Sequence, residues 1–310
     1  MMNQLDGLLE TFPCDLCGQQ NEEFLYTKRG ILTNYPFRVV RCCSCGLIYL
    51  NPRLGEQAIM ELYDRSYYNG KGFDSHVNYI ADFDKENDID KTFRPEETVK
   101  IIKEIVPPPS VLLDFGCGLS DFMRQATKHG YNVEGFEVSN FAVEFAGANG
   151  FKVYNNLDQL PHEQYDIVTA IEVLEHCSSP TKALSAIYQC MKPGGTFYYT
   201  TANFDGFYRK WCSGIKDSLD GYIVPEGHVH FFSTQVMKSY FTKIGYSKVF
   251  HFEPKTYVKN GRLFQLLLRL GLVETTDIPN TFLGRLSYYG ARNIASALGL
   301  RKRPLPLARK

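Results

Sequence analysis

Residues 111–122, VLLDFGCGLSDF, combine a buried-strand pattern with a glycine turn and the start of a helical pattern. Gly116 and Gly118 let the backbone turn tightly, and the free N–H groups at the beginning of the following helix then point outward. Such a strand–turn–helix arrangement provides a binding site for a polar ligand. A dinucleotide site would need a further glycine at position 121, where this chain has Asp121. The turn therefore predicts a ligand site that is not of the NAD or FAD kind.

The segments that follow the turn place polar residues at the ends of predicted strands. Residues 131–140 (YNVEGFEVSN) predict a strand that ends in Glu137, whose carboxylate could accept hydrogen bonds from the adjacent hydroxyls of a ribose. Three later segments continue the alternation of strands and helices: 165–177 (YDIVTAIEVLEHC), 191–203 (MKPGGTFYYTTAN) and 228–246 (HVHFFSTQVMKSYFTKIGY). The last of them predicts a helix that begins near Ser233 or Thr234 and ends at Gly245. This alternation predicts an α/β fold with parallel strands and crossover helices.

The D-x-G-C-G pattern of residues 114–118 and the ordered segments after it resemble those of the class I S-adenosylmethionine (SAM) methyltransferases. The resemblance covers residues 96–253 and implies a Rossmann-like sheet with helices on both faces. It implies SAM as the cofactor. Ser120 stands where these enzymes usually have another glycine, and we expect it to cap the following helix. The SAM-binding residues that the resemblance implies are Asp114 as support for the turn, Gly116, Gly118, Glu137 at the ribose, Asn156 and Leu157 near the adenine, and Glu172 near the methionine part.

Two cysteine pairs near the N-terminus have the spacing of metal-binding knuckles. Each pair has the form C-x-x-C and is followed by a glycine, which relieves the turn that brings both sulfurs toward one point. Together the pairs predict a tetrahedral thiolate site for a structural zinc ion, with an iron–sulfur cluster as the alternative. We expect Cys43, between the ligands of the second pair, to be a bystander. The four predicted ligands are Cys14, Cys17, Cys42 and Cys45.

These features divide the chain into four predicted parts. They are a zinc ribbon (1–52), a helical linker (53–95), a SAM-dependent methyltransferase domain (96–254), and C-terminal helices (258–271 and 281–299) with a basic tail within 255–310. We expect the tail to be a frayed end. A ribbon followed by an Asn-Pro-Arg turn and a tyrosine-rich segment is similar to the layout of bacterial methyltransferases of sugar, polysaccharide and natural-product pathways. This similarity implies a sugar, nucleotide-sugar or related intermediate as the acceptor.

The bulk composition narrows the class of partner. The 34 basic and 34 acidic residues give a formal net charge of zero, which argues against a nucleic-acid partner. The sequence has no run of 18 apolar residues that would predict a membrane span. Its N-terminus lacks the basic start and apolar core of a signal peptide, and nine cysteines without such a signal indicate reduced thiols or metal ligands. We therefore expect a cytoplasmic protein with a small-molecule substrate, of undefined oligomeric state.

Methyl transfer from a sulfonium is an in-line displacement that requires orientation and, where the acceptor proton is acidic enough, a base. His228 is the first candidate for the base, because imidazole titrates near neutral pH. In the deoxysugar C-methyltransferases that the chain resembles, a histidine at the matching place is a proposed base and follows a glutamate. Here the preceding residue is Gly227, and Glu226 lies one position earlier. The other candidates for catalytic contacts are His176, His230 and Tyr222.

Two other functions stay open at this point. The first is an RNA methyltransferase, because some ribosomal RNA enzymes carry an N-terminal zinc module. The neutral charge and the lack of an Asn-Pro-Pro-Tyr-type base-gripping motif argue against it. The second is a catalytically silent SAM-binding protein, against which the glycine turn and Glu137 argue.

Overall fold

The computed structural model describes residues 7–73, 77–83, 95–212, 214, 218–252 and 305–309 of the 310-residue chain. Strands within these residues form a seven-stranded sheet, a four-stranded sheet and a two-stranded pair. The seven-stranded sheet leads into the glycine turn, and the four-stranded sheet lies beside the cysteine pairs. One sheet therefore lies at the cysteine pairs and another at the glycine turn.

Short antiparallel strands build the cysteine-bearing front module. Its strands are β1 (Leu9–Glu10), β2 (Glu22–Arg29), β3 (Pro36–Cys42), β4 (Ile48–Leu50) and β5 (Arg53–Leu54). Strands β2, β3 and β4 pair in sequence order, and β1 pairs with β5. A further strand, β11 (His230–Phe231), pairs with β4 and completes the four-stranded sheet. Two residues that lie after most of the central strands in the sequence thus pair into the sheet of the front module.

The central sheet has the strand order β12-β13-β10-β9-β6-β7-β8. Its members are β6 (Val111–Phe115), β7 (Asn132–Phe136), β8 (Val153–Tyr154), β9 (Tyr165–Ile171), β10 (Met191–Thr200), β12 (Lys248–Phe252) and β13 (Leu305–Arg309). The ladders from β8 through β7, β6 and β9 to β10 are parallel, whereas β13 is antiparallel to both of its neighbours. Parallel pairing brings the carboxyl ends of β6, β7 and β9 to one edge of the sheet, where the predicted site residues follow.

Eight α-helices are described. They are α1 (Glu56–Leu62), α2 (Tyr79–Phe83), α3 (Pro95–Ile105), α4 (Asp121–Lys128), α5 (Asn140–Ala148), α6 (Pro180–Cys190), α7 (Phe207–Cys212) and α8 (Thr234–Ile244). The hydroxyl of Ser233 accepts a hydrogen bond from the Val236 N–H, and Gly245 ends α8 with a φ of 108°. Both predicted boundaries of α8 are thereby confirmed. None of the helices in these described parts is long and apolar enough to cross a membrane.

Adjacent residues of the central strands point to opposite faces of the sheet. In β6, Leu112 packs in one buried cluster with Ile102 of α3, whereas Leu113 packs in another with Leu184 of α6 and Phe241 of α8. Full burial of such a side chain contributes about 1.5–3 kcal/mol. Helices therefore cover both faces, which confirms the predicted Rossmann-like methyltransferase sheet.

The basic tail contains a strand, and the expectation of a frayed end is wrong for its residues 305–309. Strand β13 lies between β10 and β12, with Ala308 opposite both Phe197 and Val249. The predicted domain boundary at residue 254 therefore leaves out one strand of the central sheet. The predicted helices at 258–271 and 281–299 lie outside the described residues.

Asp15, between the first two cysteines, joins the front module to the central domain. Its carboxylate accepts hydrogen bonds from the hydroxyl of Ser179 (2.6 Å) and from the N–H (2.9 Å) and hydroxyl (2.8 Å) of Thr181. The hydroxyl of Tyr240 donates a further bond of 3.0 Å. Ser179 and Thr181 lie at the N-terminus of α6, where free N–H groups and the helix dipole favour a negative charge. The first cysteine pair is thus anchored to α6 and α8.

Candidate active site

The turn after β6 has the backbone geometry that requires glycine. Gly116 and Gly118 have φ angles of 80° and 50°. A Cβ atom on Gly116 would lie 2.5 Å from Cγ2 of Val173, whereas a Cβ on Gly118 would meet no atom within 4 Å. The N–H of Gly116 donates to Phe136 O (2.7 Å), which fixes the turn against the end of β7. The turn is thus closed on the Val173 side and open above Gly118, where a ligand can approach the backbone.

Ser120 does not cap α4, and the prediction that it would is wrong. It occupies the N-cap position with a left-handed backbone (φ 68°), and its hydroxyl donates to Leu119 O rather than accepting from the helix. A residue other than glycine in this conformation costs about 1–2 kcal/mol. The conformation itself explains why related enzymes usually have glycine at this position.

Glu137 connects the ends of β6 and β7 through three backbone hydrogen bonds. Its Oε2 accepts from the Gly118 N–H (2.9 Å), and its Oε1 accepts from the N–H groups of Val138 (2.8 Å) and Ser139 (2.9 Å). Burial raises the pKa of this carboxyl, and the three N–H groups act in the opposite direction. A carboxylate oxygen accepts about two hydrogen bonds, so only Oε2 retains capacity for a ligand hydroxyl. Glu137 can therefore accept a hydrogen bond from one ribose hydroxyl, rather than from both as the sequence predicts.

Asp114 lies beneath the turn, where it was predicted to support it. It is 4% exposed, and its Oδ1 accepts a hydrogen bond of 2.8 Å from the hydroxyl of Thr169 on β9. Burial raises the pKa of Asp114 to about 7, the Thr169 bond opposes the shift, and the charge of Glu137 adds to it. The carboxyl group of Asp114 therefore titrates in the neutral range.

The raised pKa of Asp114 predicts a pH dependence of stability. The native state binds the proton more tightly than the unfolded chain, so the free energy of unfolding should fall as pH rises from about 4 to about 7. About three pKa units correspond to about 4 kcal/mol. Asp114→Asn, which does not titrate, should lose this part of the fall, as measured by urea unfolding at pH 5 and pH 8. The exposed Asp158→Asn should behave as wild type; equal falls in wild type and Asp114→Asn would refute the assignment.

Asn156 and Leu157 follow β8 at the same edge of the sheet as Glu137. The N–H of Glu137 donates to Tyr154 O (2.9 Å), which sets the end of β7 against β8. Asn156 is exposed and accepts the Asp158 N–H at Oδ1 (3.0 Å), while Leu157 is partly buried. Their place agrees with the predicted adenine contacts, which stay predictions.

The turn after β9 carries two glutamates that meet at one hydroxyl. Glu172 has a left-handed backbone (φ 54°), and its carboxylate accepts a hydrogen bond of 2.6 Å from the hydroxyl of Tyr222. The same hydroxyl contacts Oε1 of Glu175, which is fully buried. Since a hydroxyl has one proton, stable contact with both groups requires a proton on one of them. Burial and the charge of Glu172 raise the pKa of Glu175 to about 8, so Glu175 is the group that carries it.

His176 and His228 lie ring to ring beside these glutamates, with centroids 4.5 Å apart. Nδ1 of His176 lies 3.0 Å from Gly227 O and 2.8 Å from the hydroxyl of Tyr63, and Nδ1 of His228 lies 2.6 Å from Tyr222 O. A carbonyl only accepts, so both Nδ1 atoms carry the proton and both lone pairs are on Nε2. Burial and the neighbouring His228 hold the pKa of His176 well below its ordinary value, so this ring is neutral at pH 7.

His230 points away from the cluster of His176 and His228, although the sequence makes all three histidines candidates for catalytic contacts. Its ring lies 3.0 Å from Nη1 of Arg53, and its Nδ1 lies 3.1 Å from Cys177 O. Burial and the Arg53 charge lower the pKa of His230 to about 3. The structure thus places it in the contact between the front module and the central domain. Of the four candidate catalytic residues, the other three lie together.

Glu226 does not stand beside His228 as the glutamate of the related enzymes would. Its carboxylate accepts from the N–H groups of residues 31–33 (3.0 to 3.1 Å) and from the hydroxyl of Thr33. It therefore fixes the loop before β11 to the hairpin between β2 and β3. A Cβ atom on Gly227 would lie 2.2 Å from the ring of Phe73, so any larger residue at this position would displace that ring.

Three residues of this cluster were not selected from the sequence. They are Glu175, Tyr63 and Phe73. Glu175 stood in the same EVLEH stretch as two selected residues, but a turn has no periodicity that assigns side-chain direction. Tyr63 and Phe73 belong to the tyrosine-rich segment, whose aromatic rings pack against one another and against His176.

Short contacts connect the glycine turn with the histidine cluster. Val173, next to Glu172, packs against Gly116. The hydroxyl of Ser139, two residues after Glu137, donates to Tyr63 O (2.6 Å), and the Tyr63 hydroxyl contacts His176. Residues 67–73 cover the turn, with Tyr68 and Phe73 in one buried cluster with Leu119.

The profile of a protein family described as "Methyltransferase domain" matches residues 91–250, slightly more than half of the chain. This chain belongs to that methyltransferase family. The matched span contains the glycine turn, Glu137, both clustered histidines and Tyr222. The class of enzyme expected from the sequence, a SAM-dependent methyltransferase, is thereby confirmed, and so is SAM as its cofactor.

Curated relatives of the methyltransferase include ubiquinone biosynthesis O-methyltransferases. The protein of this name from Saccharophagus degradans is 31% identical over 102 residues, which cover 30% of this chain and 43% of the relative. The one from Hydrogenovibrio crunogenus is 29% identical over 133 residues, which cover 38% of this chain and 54% of the relative. The chain thus spans about half the length of the curated relatives it matches.

Two solved structures are similar to this chain at low sequence identity. Phosphoethanolamine N-methyltransferase 2 of Haemonchus contortus, in complex with SAM, is 16% identical with a TM-score of 0.49, and the match covers 94% of this chain and 68% of that one. A SAM-dependent methyltransferase from Archaeoglobus fulgidus is 20% identical with a TM-score of 0.41, and the match covers 69% of this chain and 94% of that one.

The residues at the turn fit SAM. The space above Gly118 is open to a ligand, and the Glu137 Oε2 retains one acceptor position for a hydroxyl. Bound SAM supplies a methyl group on a sulfonium, which carries a positive charge. Glu172 places a carboxyl group at the end of β9, where negative charge would favour a cationic ligand.

Proposed function

We propose that this methyltransferase transfers the methyl group of SAM to a small-molecule acceptor, with His228 as the general base. The acceptor is a sugar, a nucleotide-sugar or a related pathway intermediate. The observation that carries the proposal is the packing of Val173 against Gly116, because it sets the cluster of His176, His228 and Tyr222 beside the cofactor turn.

The chain's own groups supply orientation and a proton acceptor. Tyr222 O holds the Nδ1 proton of His228, so the Nε2 lone pair can take the acceptor's proton. Gly227 O holds His176 in the same tautomer, and the low pKa of His176 keeps it neutral. The aromatic rings of Tyr63 and Phe73 pack against each other and against His176, which excludes water from that side of the histidines.

We also propose that the four predicted cysteines hold a structural zinc ion. Their sulfur atoms all lie within 4.8 Å of one another, with Cys14 Sγ to Cys45 Sγ at 3.4 Å and Cys17 Sγ to Cys42 Sγ at 3.5 Å. A tetrahedral zinc site with bonds of about 2.3 Å places its sulfurs at about 3.8 Å, so the set is near ligating geometry. Four thiolates leave no open position, which supports a structural rather than a catalytic ion.

Removing two of the cysteines should remove the zinc. We expect Cys14→Ser with Cys45→Ser to lose the metal in elemental analysis and to destabilise the front module, because structural zinc binding is coupled to folding. Cys43→Ser is the matched control, since Cys43 is exposed between two ligands and stands outside the cluster. Full zinc content in the double variant would show that the ligands are misassigned.

The proposed activity is tested with SAM that carries a labelled methyl group. Purified protein would be offered a bacterial small-molecule extract and, in separate reactions, total RNA and total protein. Label in a sugar or nucleotide-containing product would support the proposal and provide the acceptor for identification. Label only in RNA would replace it with an RNA methyltransferase, and SAM binding without label in any fraction would favour a catalytically silent protein.

A further inference from the structure

A cluster of potential metal ligands lies within the active site and consists of Glu175, His176 and His228. The proposed function assigns no metal ion to this cluster. One carboxylate oxygen of Glu175 and one ring nitrogen of each histidine lie within 4.8 Å of one another. Nitrogen and oxygen donors around one tetrahedral zinc ion lie about 3.3 Å apart, so the side chains would have to rotate toward a common point to complete the set.

The second oxygen of Glu175 makes no hydrogen bond of ordinary geometry among the described residues, although the Thr201 side chain lies close enough to oppose the rise in the pKa of this carboxyl. Glu175 is 0% exposed, its Oε1 contacts Tyr222, and its Oε2 is buried without a hydrogen bond. A buried polar atom without a partner costs about 1–3 kcal/mol, so such an atom in a functional site indicates an absent ligand. This orphaned oxygen points to a ligand independently of the histidines.

Both histidines make the ring N–H hydrogen bond that is typical of metal-ligating histidines. Each donates its Nδ1 proton to a backbone carbonyl, His176 to Gly227 O and His228 to Tyr222 O. Metal-ligating histidines generally donate their other ring N–H in this way, which fixes the ring and the tautomer. With Nδ1 protonated, Nε2 is the nitrogen of each ring that can bind a cation.

We propose that Glu175, His176 and His228 bind a divalent transition-metal cation within the active site, and that this cation binds the oxygen of the methyl acceptor. The cation would displace the proton from Glu175, because a ligating carboxyl group must be ionised. Two imidazoles and one carboxylate suit cations such as Zn²⁺ and Mn²⁺ and leave coordination positions open for a substrate. The cation is distinct from the zinc assigned to the four cysteines. The part that concerns the acceptor rests on the proposed function.

The cation would change how the acceptor is activated. A hydroxyl bound to it loses its proton to solvent at a lower pH, because the positive charge stabilises the alkoxide. The alkoxide oxygen then forms a bond to the methyl carbon while the carbon–sulfur bond breaks, which gives the methyl ether and demethylated SAM. His228 would then act as a ligand in place of the free base. This mechanism makes oxygen the methylated atom.

Mn²⁺ is the probe that separates this site from the cysteine site, because hard Mn²⁺ is poorly held by thiolates. Protein that retains its cysteine-bound zinc would be titrated with Mn²⁺, with free Mn²⁺ measured by electron paramagnetic resonance. We expect one Mn²⁺ per chain, with affinity at least about tenfold weaker in Glu175→Gln and His228→Ala, as for loss of one ligand. The exposed Glu144→Gln and His162→Ala are matched controls and should bind as wild type.

Three results would overturn the proposal. They are no Mn²⁺ bound by wild type, equal binding in wild type and both ligand variants, and equal weakening in the control variants. If Glu175→Gln does not fold, the partly exposed His228→Ala decides the outcome, with its melting temperature and zinc content as measures of folding.

A chelator separates this inference from the proposed function. Methyl transfer that persists after EDTA treatment, in protein that still holds its cysteine-bound zinc and binds no Mn²⁺, would retain the methyltransferase and reject the active-site cation. Stoichiometric Mn²⁺ binding that depends on Glu175, without transfer to any acceptor, would retain the cation site and reject the proposed acceptor class.

Discussion

His228→Ala should lower kcat by about 10²- to 10⁴-fold, the range expected for loss of a general base. The affinity for demethylated SAM should stay within about threefold of wild type, because Gly118 and Glu137, the predicted cofactor contacts, are untouched. The measurement is steady-state turnover of the acceptor identified in the labelling experiment, with calorimetry for cofactor binding.

The matched control for this prediction is His162→Ala, which removes an exposed histidine outside the cluster. The kcat of this control variant should equal that of wild type. A kcat of His228→Ala within about threefold of wild type would reject any chemical role for the ring. Addition of Mn²⁺ distinguishes the two roles of His228: a metal ligand makes wild-type turnover depend on the cation, whereas a free base does not.

Glu137→Gln should weaken binding of demethylated SAM by about 10- to 100-fold, as expected for the loss of charge-assisted hydrogen bonds. In either orientation the NH2 group of the glutamine would face a backbone N–H that now donates to Glu137, and two donors cannot bond to each other. The turn would shift, and the acceptor for the ribose hydroxyl would be lost together with its charge. Calorimetric titration measures the affinity.

Glu134→Gln is the matched control on the same strand. The Glu134 carboxylate accepts hydrogen bonds from Lys152, Tyr154 and Tyr165, away from the turn. Its replacement should lower the melting temperature without changing cofactor affinity. Unchanged affinity in Glu137→Gln would show that the ribose is held elsewhere and would remove Glu137 from the predicted cofactor contacts.

The local elements of the fold were predictable because each has its own hydrophobic periodicity or its own turn and capping residues. The strand at 111–115, the turn at Gly116 and Gly118, and the start and end of α8 all follow from residues that are neighbours in the sequence. Placement of Glu137 at a strand end followed from the same pattern. The C-x-x-C pairs were recognisable for the same reason.

The contacts that complete the site were not predictable, because they join residues far apart in the chain. Glu226 binds the hairpin near residue 31, which lies 195 positions earlier. Tyr63 meets His176 across 113 positions. Strand β13 contains Pro306, which lacks an N–H and argues against a strand between two neighbours. Such pairings depend on the assembled sheet rather than on any local pattern.

The pairing of β11 with β4 restricts how this chain could exchange modules with other proteins. His228 lies two residues before β11, so the position of this ring is set in part by a strand of the front module. Glu226 adds a second tether to the hairpin of the same module. A chimera that replaced residues 1–52 alone would leave β11 and Glu226 without their partners. Recombination that preserves activity must therefore transfer the front module and the loop at 222–231 as a pair, although some 170 residues separate them in the sequence.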